Sequence, residues 1–179
     1  RAGALWMNAG WSRYPFQRFD DGQLSCWSTG VAVSGPPYAS PSLAQTADGR
    51  LWALAGTGDW GQPTLFADAG SGWFRADAPE SPWSIDTSPG GRLYMLVFGY
   101  TWSLWELAGN GWRQRYACTG EGTWLLDLAI APSEEVWLVE GGLLDGWRVG
   151  TGLIRLEGSQ VVQRLPYPQG PESVTDGGP

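Results

Sequence analysis

The stretch that decides the fold is DGRLWALAG, residues 48–56. A turn pair precedes an alternation of apolar side chains, which is typical of a half-buried β-strand. The pattern recurs as GGRLYMLVF at residues 90–98 and as SEEVWLVEG at residues 133–141. Matching positions in the three copies are 42 and 43 residues apart. The chain is therefore built from copies of one repeating unit.

Each unit contains four short apolar stretches, which we label strands a, b, c and d. In the second unit we predict these strands at about residues 42–47, 50–56, 63–68 and 72–77. The c and d strands align between units as TLFADAGSGW (64–73), SLWELAGNGW (103–112) and GLIRLEGSQV (152–161). A weaker copy opens the chain at ALWMNAG, residues 4–10. No segment shows a helical period, and the best helix candidate, residues 124–131, aligns with strand a.

A four-stranded repeat of this length is the signature of a β-propeller blade. We predict an all-β fold, a β-propeller of four-stranded antiparallel blades with four blades visible in the chain. The blades are predicted at about 1–30, 42–80, 83–118 and 124–168, followed by a C-terminal tail at 169–179.

The first unit lacks its own strand a, which leaves two interpretations of the ring. In one, residues 173–177 pair with residues 4–8 and close a four-bladed ring, which removes an exposed sheet edge. In the other, the four units are part of a larger ring, completed by further blades or by a second copy.

Two segments resemble known propeller repeats. DGRLWALAG together with GLIRLEG resembles the repeat of two-component-regulator sensor propellers. FADAGSGW resembles a degenerate Asp-box, because Asp68, Gly70 and Trp73 match its pattern while Phe66 replaces the hydroxyl residue. The resemblance implies a propeller architecture. As part of our leading hypothesis we expect a bacterial sensor, adhesion or assembly factor in an extracytoplasmic or secreted location.

Composition narrows the classes of partner. The chain has a net charge of −7, no histidine, and 11 basic residues that are all scattered arginines. Nucleic-acid binding needs clustered basic charge, so we expect none. We also expect no metal and no cofactor, and no apolar run is long enough for membrane insertion. The adjacent Glu134 and Glu135 are interpreted as solvated turn charge, and the thiols of Cys26 and Cys118 are predicted to be unbonded.

Every predicted b–c loop carries a tryptophan, and in a blade of this kind the b–c and d–a connections emerge on the same face. Tyr38, Trp83 and Trp124 lie near d–a connections and are expected to join that face. Displayed tryptophan is a favoured anchor for apolar side chains and sugar rings. The predicted binding residues are Trp11, Trp60, Trp102, Trp147, Asp59, Tyr100, Asp145 and Arg148.

The alternative for each loop tryptophan is a structural role, packed between neighbouring blades. Our leading hypothesis is a non-enzymatic propeller, without catalytic residues, that docks a ligand or a protein partner on this tryptophan-lined face. The second hypothesis is a carbohydrate-binding lectin that uses the same residues. The third is a glycosidase-like fragment, for which no catalytic residue can be assigned.

Overall fold

The computed structural model describes residues 5–8, 16–20, 23–27, 42–57, 62–68, 70–109, 111–119, 122–144 and 147–166. All 15 elements in these ranges are β-strands, and the ranges contain no helix. The strands are β1 Leu5–Asn8, β2 Phe16–Asp20, β3 Gln23–Trp27, β4 Leu43–Gln45, β5 Leu51–Thr57, β6 Gln62–Asp68, β7 Trp73–Arg75, β8 Ser81–Thr87, β9 Leu93–Phe98, β10 Trp102–Ala108, β11 Gly111–Ala117, β12 Trp124–Ile130, β13 Val136–Leu144, β14 Trp147–Glu157 and β15 Gln160–Pro166.

The strands form four antiparallel meanders, in which each strand pairs with its neighbour in sequence. Sheet 1 contains β1–β3, sheet 2 contains β4–β7, sheet 3 contains β8–β11 and sheet 4 contains β12–β15. The all-β prediction is confirmed, and the helix candidate at 124–131 forms strand β12. The segment 173–177, on which the closed-ring interpretation depends, lies outside the described residues.

Strand b is buried on both faces in sheets 2 and 3, which explains why β5 and β9 are apolar along almost their whole length. In β5, Trp52 and Leu54 pack in a cluster with Met95 of sheet 3. The alternate residues Ala53 and Ala55 belong to a separate cluster on the other face. A strand buried on both faces is expected to lose the alternation of polar and apolar side chains.

Sheet 3 repeats this arrangement. The odd-numbered residues of β9, such as Met95, pack toward sheet 2, and Leu96 packs toward sheet 4 with Leu138 and Ile154. The hydrophobic core therefore lies between successive sheets, at the sheet 2–sheet 3 and sheet 3–sheet 4 interfaces.

The a–b turns of successive sheets are tied together in two different ways. The amide of Ala47 donates to the carbonyl of Gly91 at 3.1 Å, joining the turns of sheets 2 and 3. The equivalent donor in sheet 3 is missing because Pro89 has no N–H. The carboxylate of Glu134 links the turns of sheets 3 and 4 instead, because it accepts hydrogen bonds from Gly90 N at 2.7 Å and from Ser88 Oγ at 3.2 Å.

Sheet 1 exposes large apolar side chains on β2 and β3. Leu24 is 55% exposed, and Phe19, which is paired with it across the β2–β3 ladder, is exposed as well.

Within the described ranges, no helix has the length and apolar character that a membrane crossing requires.

Candidate functional site

A pocket of about 670 Å³ opens at one end of the space between sheets 3 and 4. We call it the loop pocket, because the b–c connection of sheet 3 and the d–a connection that leads into sheet 4 meet there. Four aromatic side chains line it, and none of its described lining residues is charged. These aromatic residues are Phe98, Tyr100, Trp102 and Trp124.

Trp102 forms the inner wall of the loop pocket. It is only 4% exposed, so it differs from the expectation of a displayed side chain. Its ring meets Trp83 edge-on at 5.2 Å between centroids and Phe98 at 5.0 Å. Strand β10 begins at Trp102, so this residue shares the core-facing side of the strand with Leu104. The indole nitrogen of Trp102 is buried and has no acceptor among the described residues.

Tyr100 has the opposite character, since its side chain is fully exposed at the rim of the same pocket. It lies in the three-residue connection between β9 and β10, next to Thr101. Trp83 and Trp124 also lie in this region, and the indole of Trp83 donates to the carbonyl of Leu126 at 3.0 Å. The structure therefore brings together residues from the b–c and d–a connections, as the blade topology predicts.

The other predicted site residues are not described at the side-chain level. Trp11, Trp60, Asp59 and Asp145 lie outside the described residues. Trp147 and Arg148 belong to strand β14, but their side chains lie outside the description as well. The prediction of a shared tryptophan face around the axis therefore stays a prediction for these six positions.

The loop pocket is also lined by Phe98, Cys118 and Thr123, which were not among the predicted site residues. The alignment of repeats could have indicated them, because they flank the b–c and d–a connections. Burial raises the pKa of the Cys118 thiol to about 11, so this group stays protonated and uncharged near neutral pH. Cys118 and Cys26 are both free thiols.

The opposite end of the same two sheets forms a polar cleft of about 390 Å³, which we call turn cleft 3–4. Arg92 forms an ion pair with Glu134 and lies 3.7 Å from Glu106. The Nε of Arg115 lies 2.5 Å from a carboxylate oxygen of Glu106. Glu135 pairs with Arg155 at 2.5 Å.

This network corrects the interpretation of Glu134 and Glu135 as solvated turn charge. Both side chains are partly buried and fix the turn of sheet 4 against arginines. A hydrogen bond from Arg92 holds the pKa of the Glu134 carboxyl below its usual range, helped by the amide of Gly90. Within the described residues, no group of three or more Cys, Asp or Glu side chains could hold a metal ion.

No protein-family model matches the chain, and no curated protein sequence matches it. Solved structures do resemble it. Selenomethionine-substituted virginiamycin B lyase from Staphylococcus aureus superposes with a TM-score of 0.61 at 15% identity, over 93% of this chain and 53% of that one. YCF48 bound to D1 peptide superposes with a TM-score of 0.52 at 17% identity, over 89% of this chain and 49% of that one.

At these identities the likeness establishes the fold alone. Together with the four antiparallel meanders, it shows that this protein is a β-propeller. The chain spans about half the length of both structures that it resembles.

Proposed function

We propose that this protein is a non-enzymatic binding propeller, and that its loop pocket receives an apolar side chain from a protein partner. The observation that carries the proposal is the chemistry of the pocket wall, which combines four aromatic rings with no charged residue among those described. Aromatic surface of this kind supplies a large contact area with few rotatable bonds, so little conformational entropy is lost on binding.

Tyr100 in the b–c connection and Trp102 at the start of β10 have different roles in the pocket. Trp102 is held rigidly by Trp83 and Phe98, so it presents a fixed wall. Tyr100 is exposed and has no packing role, which leaves its ring free to cover a bound side chain. A partner that brings a carbonyl oxygen to the indole nitrogen of Trp102 would also satisfy a buried donor that lacks an acceptor among the described residues.

Two further considerations favour binding over catalysis. The chain has no histidine to serve as a general base. The described wall of the loop pocket also lacks the paired carboxylates that glycoside hydrolysis requires. The solved structure of YCF48 contains a bound peptide, which provides a precedent for peptide recognition on this fold. An extracytoplasmic or secreted location is part of the proposal.

A carbohydrate-binding lectin is the second candidate, because aromatic rings also stack on sugars. Threonine hydroxyls do line the pocket, but its described lining contains no carboxylate, amide or arginine to fix sugar hydroxyls, which favours the protein partner.

The test is selection from a random peptide display library on the purified chain, followed by affinity measurements with the selected peptides. We expect peptides rich in apolar side chains, and we expect Tyr100→Ala to weaken them about tenfold. Phe19→Ala is the matched control, because Phe19 is an exposed aromatic residue on sheet 1, away from this pocket. Selected peptides that bind Tyr100→Ala as tightly as the parent would overturn the proposal, and Tyr100-dependent binding of sugars alone would establish the lectin.

A further inference from the structure

A second cleft at the turn end, between sheets 2 and 3, is the repeat equivalent of turn cleft 3–4. We call it turn cleft 2–3, and its volume is about 340 Å³. The repeat alignment places its wall residues on those of the other cleft. Arg50 corresponds to Arg92, Trp52 to Tyr94, Leu107 to Leu156 and Gly109 to Gly158.

The two clefts differ in how their arginines are neutralised. In turn cleft 3–4 the chain supplies its own carboxylates, Glu134 and Glu106, to the arginine at this repeat position. The equivalent positions in turn cleft 2–3 are Gly91 and Ala67, which carry no charge. The two repeat positions that supply carboxylates to one cleft therefore supply none to the other.

The guanidinium groups of turn cleft 2–3 have no carboxylate within ion-pair distance in the described part of the chain. They belong to Arg50 and Arg75, which both line the cleft. Asp77 is the one carboxylate among the described lining residues. Asp48 lies next to Arg50 in sequence, but its carboxylate accepts from Thr46 Oγ1 at 2.6 Å and from the Arg50 amide at 3.1 Å. That carboxylate is thus hydrogen-bonded within its own turn and makes no ion pair with the Arg50 guanidinium, although the charge of Arg50 adds to the hydrogen bond from Thr46 in lowering the pKa of Asp48.

The remaining walls of turn cleft 2–3 are apolar. The guanidinium carbon of Arg50 lies 6.0 Å from the centroid of the Trp52 ring, which forms part of the wall. Phe74 lines the cleft and is 44% exposed, although it is a large aromatic residue. Trp112 completes the wall and is fixed by its indole, which donates to the carbonyl of Asp77 at 2.9 Å.

We propose that turn cleft 2–3 binds a carboxylate that is attached to an apolar or aromatic group. The two arginines would receive the carboxylate with charge-assisted hydrogen bonds, and Phe74 and the indoles would cover the apolar part. The charged lining residues Arg50, Arg75 and Asp77 together carry a net positive charge, whereas the whole protein has a net charge of −7. An anion is therefore attracted to the cleft and not to the protein surface in general. The source of the carboxylate is either a peptide C-terminus or a small aromatic acid, because both share this chemistry.

The experiment titrates the full chain with 3-phenylpropionate and, in parallel, with its uncharged amide, by calorimetry and by the indole signals in NMR spectra. We expect the acid to bind and the amide to bind at least about tenfold more weakly. Arg50→Gln and Arg75→Gln should each lower the affinity for the acid about tenfold. Added salt should weaken the binding of the acid and leave the binding of the amide unchanged.

Arg92→Gln is the matched control, since it removes the equivalent arginine from the cleft that already contains carboxylates. Its circular dichroism spectrum should match that of the parent before binding is compared. Equal binding of acid and amide, an effect of Arg92→Gln as large as that of Arg50→Gln, or no binding of the acid up to about 10 mM would each overturn the proposal.

A second pair of probes distinguishes the two sources. A tetrapeptide that ends in phenylalanine is compared with its C-terminally amidated form. Tighter binding of the free peptide than of 3-phenylpropionate assigns the cleft to a peptide C-terminus, whereas weaker binding assigns it to a small acid. These outcomes do not depend on the loop pocket, because Tyr100→Ala should leave them unchanged.

Discussion

The two ends of the space between sheets 3 and 4 are built from opposite chemistry. At the loop end, packing is aromatic and the described pocket wall is uncharged. At the turn end, arginines and glutamates join the strands, and Glu106 is only 6% exposed. Because the same pair of sheets supplies both ends, the difference lies in the side chains and not in the backbone. The loop end is thus suited to apolar recognition, and the turn end to holding the sheets together.

The largest effect is expected from Trp102→Ala at the loop end. Removal of a buried indole leaves a cavity beside Trp83, and we expect the free energy of unfolding to fall by about 3–5 kcal/mol. Chemical denaturation measures this change. Tyr100→Ala is the control, since its exposed ring should contribute less than about 0.5 kcal/mol to stability. Similar losses in the two variants would show that Trp102 is not part of the core.

A smaller loss is expected from Glu106→Gln at the turn end. The change keeps the shape of the side chain but leaves the mostly buried guanidinium of Arg115 without its anion, which should cost about 2 kcal/mol. Glu157→Gln is the matched control, because Glu157 pairs with Arg155 at 3.6 Å on the surface and should contribute little. If both variants unfold at the same denaturant concentration, the buried network does not stabilise the turn end.

The smallest effect concerns Glu134 and depends on pH. The hydrogen bond from Arg92 lowers the pKa of Glu134 in the folded protein, so its contribution to stability is present above the unfolded pKa. That contribution is lost as the pH falls through the folded value. We therefore expect Glu134→Gln to lower the melting temperature at neutral pH and to have no effect under strongly acidic conditions. A difference in melting temperature that stays constant with pH would contradict this assignment.

The repeat pattern predicted most of the fold, because strand b is recognisable in each copy from a turn followed by apolar residues. Even the short strand β4 was predicted, since its position is fixed by the copies in sheets 3 and 4. The sequence also indicated that connections at one end would share aromatic residues. Within the described residues, Tyr100, Trp102 and Trp124 do meet there.

The structure shows for Trp102 the alternative role of a loop tryptophan, which is packing between sheets, and the short connection before it gives the reason. The connection contains only residues 99–101, so the tryptophan already occupies the first position of β10. Its spacing from Leu104 by two residues was the signal that it faces the core.

The ion pairs of the turn end could not be predicted in the same way. The pairs Arg115–Glu106 and Arg155–Glu135 each lie within one sheet and its turn, whereas an ion pair between two sheets depends on the angle at which the sheets pack. Arg92 and Glu134, for example, are 42 residues apart and meet only because successive turns stack.

The close approach of Gly91 to the preceding turn also limits what can be grafted between repeats. A side chain at this position would place its Cβ 2.2 Å from the backbone nitrogen of Ala47, and the residue has a φ of 75°. Glutamate is accommodated at the equivalent position 134, with a φ of 67°, where the neighbouring turn leaves room for it. An engineer who copied the sheet 4 turn into sheet 3 would therefore break a backbone contact instead of gaining an ion pair. Consensus design across these repeats should leave position 91 untouched.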